Sequence, residues 1–381
     1  MKTKDAVIIG GGVVGCAIAY ELAKRGMTNI TVVEKNFLAS GATGRCGAGV
    51  RQQWGLESNI LLAKKSCEIL ENMNEDLEYD RDIEFHQGGY LLLAYSDKQW
   101  QQFLKNVELQ HKNGVMTEVK TPEEAKEIVP FLNIEGLKGA TFYNKDGHAD
   151  PFKVTDAYYK AAKRLGVEFL LHTEVLDIVT NNNKVEKVVT TGGDIYTEKV
   201  VNAAGGWSKD VAKLVGVDIP VISERHQILV TEPVKKMMDP MVMSFELGIY
   251  CQQTPHGSFI MGLGDPNEPK GYNIDSTWQF MHEMSSIITK ILPPLKELRV
   301  VRQWAGLYNI TPDAAPILGK TEKVEGFYQA VGFSGHGFMI APMTAVLIAQ
   351  QMLGLELDLD ITTYDLGRYE RGELVVEPSV V

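Results

Sequence analysis

Three glycines and an acid carry the first chemistry legible in the chain. Gly10, Gly12 and Gly15 stand in G-x-G-x-x-G spacing, and Glu34 follows. Gly10 permits a tight turn, Gly12 lets the backbone approach a pyrophosphate, and Gly15 lets a helix pack closely on a strand. A helix opening at Val13 and Val14 turns free N–H groups toward phosphates. Glu34 can accept hydrogen bonds from both hydroxyls of a ribose. The glycines work this way only if the right elements hold them. The apolar run Ala6-Val7-Ile8-Ile9 predicts a strand, Ala17 to Ala23 predict a helix closed by Gly26, and Ile30-Thr31-Val32-Val33 predict a second strand. The order strand, turn, helix, strand, acid is that of a dinucleotide-binding βαβ unit. A glycine turn without a ligand does not require that order.

The next residues choose between dinucleotides. An NAD domain ordinarily passes from its second strand into another helix. Here Glu34-Lys35 leads to the small-residue loop Ala39-Ser40-Gly41-Ala42-Thr43-Gly44-Arg45-Cys46-Gly47. Such a loop can wrap a pyrophosphate and reach a flavin ring, so FAD is the expected cofactor. Lys35, Ser40, Gly41, Thr43, Arg45, Cys46 and Gly47 are its candidate contacts. The bland reading of Cys46 is a small polarizable residue packed near the ring.

With these residues in view, the chain resembles the amino-acid-oxidase superfamily of FAD enzymes, which act on C–N bonds. Val200-Val201-Asn202-Ala203-Ala204-Gly205-Gly206-Trp207 is similar to that family's strand and N-A-A-G-x-W segment. Val175 stands where the family packs the adenine. Gly332-Phe333-Ser334-Gly335-His336-Gly337-Phe338-Met339 resembles the turn that closes over the flavin. The resemblance runs from Ala6 to about Glu373. It is narrowest toward the β subunits of dye-linked L-proline dehydrogenase and heterotetrameric sarcosine oxidase, through Arg45-Cys46-Gly47, Arg51-Gln52-Gln53 and Arg368 to Glu373. It implies cofactor contacts at Val175, Ala203, Ala204, Gly205, Trp207, Gly332, Gly335, His336, Gly337, Phe338 and Met339.

The resemblance also implies a reactive site. An α-carboxylate needs a cationic clamp, and arginine offers a planar two-donor fork. Arg51, just past the flavin loop, matches the family's carboxylate-binding arginine; its alternative is a structural ion pair. His336 and Tyr308 match residues that line the flavin pocket, and His336 could accept the amine proton. His256, Tyr250 and His226 fall in predicted strands over the flavin, where each reads as structural or catalytic. Related monomeric sarcosine oxidases link flavin through a cysteine where this chain has Gly306, so FAD is expected to be non-covalent. Their lysine after the pocket histidine is Met339 here. The strand His256 to Gly262 contains no lysine to assist reaction with oxygen.

The implied activity is FAD-dependent oxidation of the C–N bond of a secondary or cyclic amino acid, of proline, sarcosine or hydroxyproline type, with electrons passed to an acceptor other than oxygen. The alternatives are an oxygen-using sarcosine or glycine oxidase and a non-catalytic flavin-carrying subunit. The narrower resemblance implies a partner subunit and an FMN at the subunit interface. The histidine that binds FMN covalently in sarcosine oxidase aligns with Pro151, not His148, so a covalent FMN is not expected.

Composition is compatible with all of this. The chain has 381 residues, enough for a large core and two domains. Its net charge of −11 disfavours nucleic acid and anionic membranes. Four cysteines without CxxC spacing suit a reducing cytoplasm. The histidines show no metal-ligand spacing. The apolar stretch Phe338 to Leu355 is interrupted by Pro342 and Gln350-Gln351, which predicts a buried helix rather than a membrane span. The expected fold is α/β: a Rossmann-like FAD-binding domain of glutathione-reductase type from 1–82, 146–219 and 301–381. A mainly antiparallel α+β substrate domain would come from 83–145 and 220–300.

Overall fold

The computed structural model describes residues 2–378. Its centre is a six-stranded sheet in the order Ile317–Lys320, Phe327–Val331, Val200–Asn202, Ala6–Ile9, Ile30–Val33, Glu168–Leu170. All neighbours pair in parallel except the Ile317–Lys320 edge, which is antiparallel. Ala6–Ile9 and Ile30–Val33 are buried at every position, as parallel strands covered on both faces must be. One face carries helices Val13–Lys24, Pro151–Arg164 and Gly337–Leu353, with Glu57–Asp76 packed outside the last. Residues of the other face pack with a four-stranded sheet of Lys2–Thr3, Gly193–Tyr196, Lys184–Thr190 and Val175–Asn181.

Helix Gly337–Leu353 is the apolar stretch read as buried, and nearly every residue in it is. Pro342 sits inside it and removes a donor from the helical ladder. The N–H of Met343 donates to Ser66 Oγ, at 3.1 Å, on the neighbouring helix. Gly354, in the left-handed conformation, ends the helix. No helix among the described residues is long and apolar enough to cross a membrane.

The second sheet has eight strands, from Val300–Ile310 and Ile222–Thr231 through Phe259–Leu263, Ile249–Gln253, Met241–Ser244, Tyr90–Ala94 and Gly139–Tyr143 to Glu118–Lys120. It is antiparallel apart from Met241–Ser244 beside Tyr90–Ala94. Helix Trp278–Ile291 packs on it over a second core around Phe259, Met261 and Met284. Val300–Ile310 pairs with Ile222–Thr231 along nearly its whole length, so it belongs to this sheet. The sequence boundary at 301 therefore moves to the end of that strand. Nothing in the local sequence marks the change, because only the partner strand decides it.

Candidate active site

A cleft of about 340 Å³ opens beside the carboxyl ends of the parallel strands. In the turn after Ala6–Ile9, Gly10 has φ +117, and a Cβ there would collide with Ala203 O. A Cβ on Gly15 would collide with Gly10 O, so the helix can seat this close to the turn only with glycine. On Gly12 a Cβ would meet just the Thr43 hydroxyl, at 3.1 Å. Val13 N–H donates to that hydroxyl at 3.1 Å, which ties the helix start to the small-residue loop. Glu34 accepts from Gly11 N–H and Asn36 N–H, both at 2.8 Å. Asn202, fully buried, accepts from Ala204 N–H at 3.3 Å and donates to Ser208 O and Gln329 Oε1 at 2.9 and 3.0 Å. Its side chain thus folds the turn that brings Ala203, Ala204, Gly205 and Trp207 to the cleft wall. Lys35 Nζ lies 3.5 Å from the Trp207 ring centroid.

The other end of the cleft is built by the eight-stranded sheet. Arg45 donates from Nη1 to Ala305 O at 2.9 Å and from Nε to Ser40 O at 3.1 Å, and Trp304 Nε1 donates to Arg45 O at 3.1 Å. The loop is thereby fastened to strand Val300–Ile310. A Cβ on Gly306 would stand 3.0 Å from Arg45 Cβ, so the structure offers little room for a side chain there. Tyr308 stacks on His226 with ring centroids 4.4 Å apart, and His226 Nε2 is 3.3 Å from the Tyr250 hydroxyl. Gly335 has φ +95, and a Cβ on it would stand 2.6 Å from the Tyr308 ring. Burial pushes the His226 imidazole down to about 4.

Beyond this wall lies Arg51, buried at 3 % exposure. Its Nη1 donates to Gln53 O at 2.8 Å, and its guanidinium lies 3.9 Å from the Trp54 ring centroid and 5.0 Å from that of Phe245. No carboxylate among the described residues forms an ion pair with it. Burial lowers its pKa. Trp54 in turn meets His336 edge-on at 5.0 Å. Burial, with Arg51 adding its charge, holds His336 down to about 3, so the ring is neutral at pH 7. Tyr90 is buried at the start of strand Tyr90–Ala94. Burial raises its phenol above the usual value, Arg51 opposes the rise, and Tyr308 and Cys46 add to it.

The FAD dependent oxidoreductase family model matches residues 5–351. The chain belongs to this family. Sarcosine oxidase subunit beta of Arthrobacter is 32% identical over 99% of this chain and 93% of its own length. The crystal structure of L-proline dehydrogenase from P. horikoshii superposes with a TM-score of 0.92 at 42% identity, covering 98% of this chain and 99% of that one. Glycine oxidase from Geobacillus kaustophilus shares the fold, with a TM-score of 0.89 at 24% identity, covering 97% and 99%.

The residues present fit the family's FAD. The cleft follows the fold's dinucleotide axis, with a helix N-terminus, a glycine whose missing side chain leaves space, and the Glu34 carboxylate. The residues expected to touch FAD at Gly10, Gly12, Val13, Val14, Glu34, Lys35, Ser40, Gly41, Thr43, Arg45, Cys46 and Val175 line it. So do Ala203, Ala204, Gly205, Trp207, Gly335, Gly337 and Phe338, together with Tyr308 and His226.

Other expected positions in this FAD dependent oxidoreductase fall behind the wall. Gly15 is used in helix packing, and Gly47 stands against the Tyr250 ring. Gly332 turns against Thr311, and Met339 belongs to the helix core. Arg51, His336 and Tyr250 stand behind the Tyr308 end. His256 requires correction: it occupies an exposed hairpin turn, 3.2 Å from Glu84 Oε2. Its strand begins only at Phe259, so the histidine is carried away from the cleft. Phe333, Asn309, Thr173 and Asp210 line the cleft without having been singled out. Asn309 had no local signal: its side chain accepts from Phe333 N–H at 3.1 Å, a contact between residues 24 apart. Tyr90 and Phe245 had none either.

Proposed function

We propose that the chain is an FAD-dependent dehydrogenase of a secondary or cyclic amino acid, of proline, sarcosine or hydroxyproline type. The observation that carries the reading is Arg51: a buried guanidinium that no carboxylate among the described residues pairs with, beside a cleft that fits FAD. A buried cation is stabilised by an anion, and the substrate α-carboxylate supplies one. The similarity to L-proline dehydrogenase and to a sarcosine oxidase β subunit supports the same class.

Bound non-covalently, FAD supplies the hydride acceptor, and Gly306 in place of a linking cysteine supports the absence of a covalent bond. The chain does the rest. Arg51 holds the carboxylate through N–H groups not engaged by Gln53 O. His336, kept neutral by burial, can accept a hydrogen bond from the substrate's amine N–H and so favour the amine form that oxidation requires. Tyr308, braced by His226 and Gly335, shapes the space where the α-carbon sits.

Transfer of electrons to an acceptor other than oxygen is supported by the cation inventory. Among the cleft-lining residues at the Tyr308 end the fixed cation is Arg45, already bonded to two carbonyls. No lysine stands there to stabilise charge on oxygen. The narrower resemblance supports a partner subunit with an FMN at the interface, and the lack of CxxC spacing among the four cysteines supports a cytoplasmic site.

The test is an anaerobic screen of amino acids for bleaching of the yellow protein, then stopped-flow reoxidation. We expect bleaching by a secondary amino acid, slow reoxidation in air and fast reoxidation by an artificial dye. Failure of every amino acid to bleach the flavin rejects the enzyme reading; reoxidation by air faster than by dye makes the protein an oxidase. Isolation from the native cell as this chain alone counts against the partner.

A further inference from the structure

Two buried carboxylates from distant parts of the chain grip the segment Arg51–Gly55 at its two ends. Asp146, fully buried, accepts Gln52 N–H on Oδ1 at 2.7 Å and Gln53 Nε2 on Oδ2 at 2.8 Å. Glu377, at 3 % exposure, accepts Gly55 N–H on Oε1 at 2.7 Å and Asn59 Nδ2 on Oε2 at 2.7 Å. Asn59 is fixed in turn by the Tyr364 hydroxyl, which donates to its Oδ1 at 2.7 Å. The stretch that delivers Glu377 has its own anchor. Arg368 and Asp313 form a buried pair, with Arg368 Nε 2.8 Å from Asp313 Oδ2, and Val375 N–H donates to the same oxygen at 3.1 Å.

We infer that Glu377 is a positioning residue for substrate binding: by holding Gly55 it sets the place of the Arg51 guanidinium that receives the substrate carboxylate. The inference rests on the reading of Arg51 given above. Both acids accept from backbone or side-chain amides of the segment or, for Glu377, of Asn59 on the helix after it; neither forms an ion pair with the guanidinium, although both charges act on it. That division suits a binding cation. A carboxylate in contact would compete with the substrate, whereas one held at the backbone fixes the geometry and still favours the charged arginine. Glu377 adds what Asp146 cannot, because it fixes the far end, where Gly55 leads into helix Glu57–Asp76. A loop with one end loose would have to be ordered again each time the anion binds.

The test uses a ligand that needs Arg51 and undergoes no reaction. Cyclopentanecarboxylate has a ring and a carboxylate but no amine, and its binding is read from the perturbed flavin spectrum of the holoenzyme. We expect Glu377→Ala to weaken its Kd about tenfold, the scale of losing a charge-assisted hydrogen bond that fixes the loop. FAD content should be unchanged, and oxidation of pyrrolidine, which has no carboxylate, should keep its kcat/KM. Glu377→Gln, which retains an acceptor for Gly55 N–H, should restore binding to within about threefold of the native protein. If Glu377→Ala does not fold, Glu377→Asp carries the test, with a weakening of about threefold or more expected from the shortened reach. Unchanged binding in the Glu377 variants, with binding lost in Arg51→Ala, overturns the inference and leaves the Arg51 reading standing. Unchanged binding in Arg51→Ala overturns both. Equal losses for cyclopentanecarboxylate and pyrrolidine would make Glu377 a structural residue and overturn the inference alone.

Discussion

Arg51 is a cation that the fold buries between two aromatic rings and the Gln53 carbonyl oxygen. Its substitution by alanine should raise KM for the best amino acid strongly while FAD stays bound, because Arg51 does not line the cleft. Truncating one member of a buried charged pair costs about 2–5 kcal/mol, so roughly a thirtyfold rise or more is expected. Steady-state kinetics and the flavin-to-protein ratio check both halves; an unchanged KM removes Arg51 from the site. His336 gives a second prediction. Its pKa is depressed to about 3, so it is already neutral throughout pH 5–8. The kcat/KM profile should therefore contain no limb from His336 in that range. A limb near pH 6.5 that disappears in His336→Asn would show that the site exposes this ring.

At the scale of elements, the turn after strand Ala6–Ile9 sets the cofactor geometry. Gly10→Ala would force a side chain into φ +117 and against Ala203 O, which belongs to the neighbouring strand's turn. The strain alone is worth roughly 1–3 kcal/mol, and the collision separates the two turns that frame the cleft. Loss of bound FAD and a lower melting temperature are expected. Gly26→Ala is the matched control, since Gly26 has φ +97 with nothing near its missing Cβ. It should lower stability and leave the flavin content intact. Retention of full FAD by Gly10→Ala would mean that the turn tolerates a shift. Pro151 opens helix Pro151–Arg164 behind the Asp150 cap. Its ring fits the first turn, where a donor is not needed.

For the whole molecule, buried histidines set the response to acid. His148 and His226 are depressed to about 4 and His336 to about 3, in each case mainly by burial. Unfolded, each would titrate near 6.5, so the unfolded chain binds more protons below that pH. The stability they leave intact above pH 6.5 is lost progressively as pH falls from there toward 4, at about 1.4 kcal/mol per unit for each histidine. Asp146 runs the other way. Burial raises it to about 7, so its contribution is full below about 4 and lost as pH rises through 7. Three groups outweigh one, and stability should fall between pH 6.5 and 5. Denaturant midpoints at several pH values test this; a rise in that window would mean that these histidines become exposed or paired.

Sequence alone determined the nucleotide half. Its signals are local: Gly10, Gly12, Gly15 and Glu34 sit within one βαβ unit, and spacing along a chain fixes backbone geometry over such distances. The buried helix Gly337–Leu353 and the antiparallel roof were legible for the same reason, through apolar runs and alternation. Tertiary structure alone decided the reactive half. His226 reaches Tyr308 because Ile222–Thr231 pairs in one register with Val300–Ile310, and a slip of one residue would turn that ring to the other face. His256 leaves the site because a hairpin turn ends before its strand begins. Glu377 meets Gly55 across a separation of 322 residues, and Asp146 meets Gln52 across 94. No spacing rule spans such distances; only the packing of the two sheets and the anchored final stretch brings those carboxylates to the loop that carries Arg51.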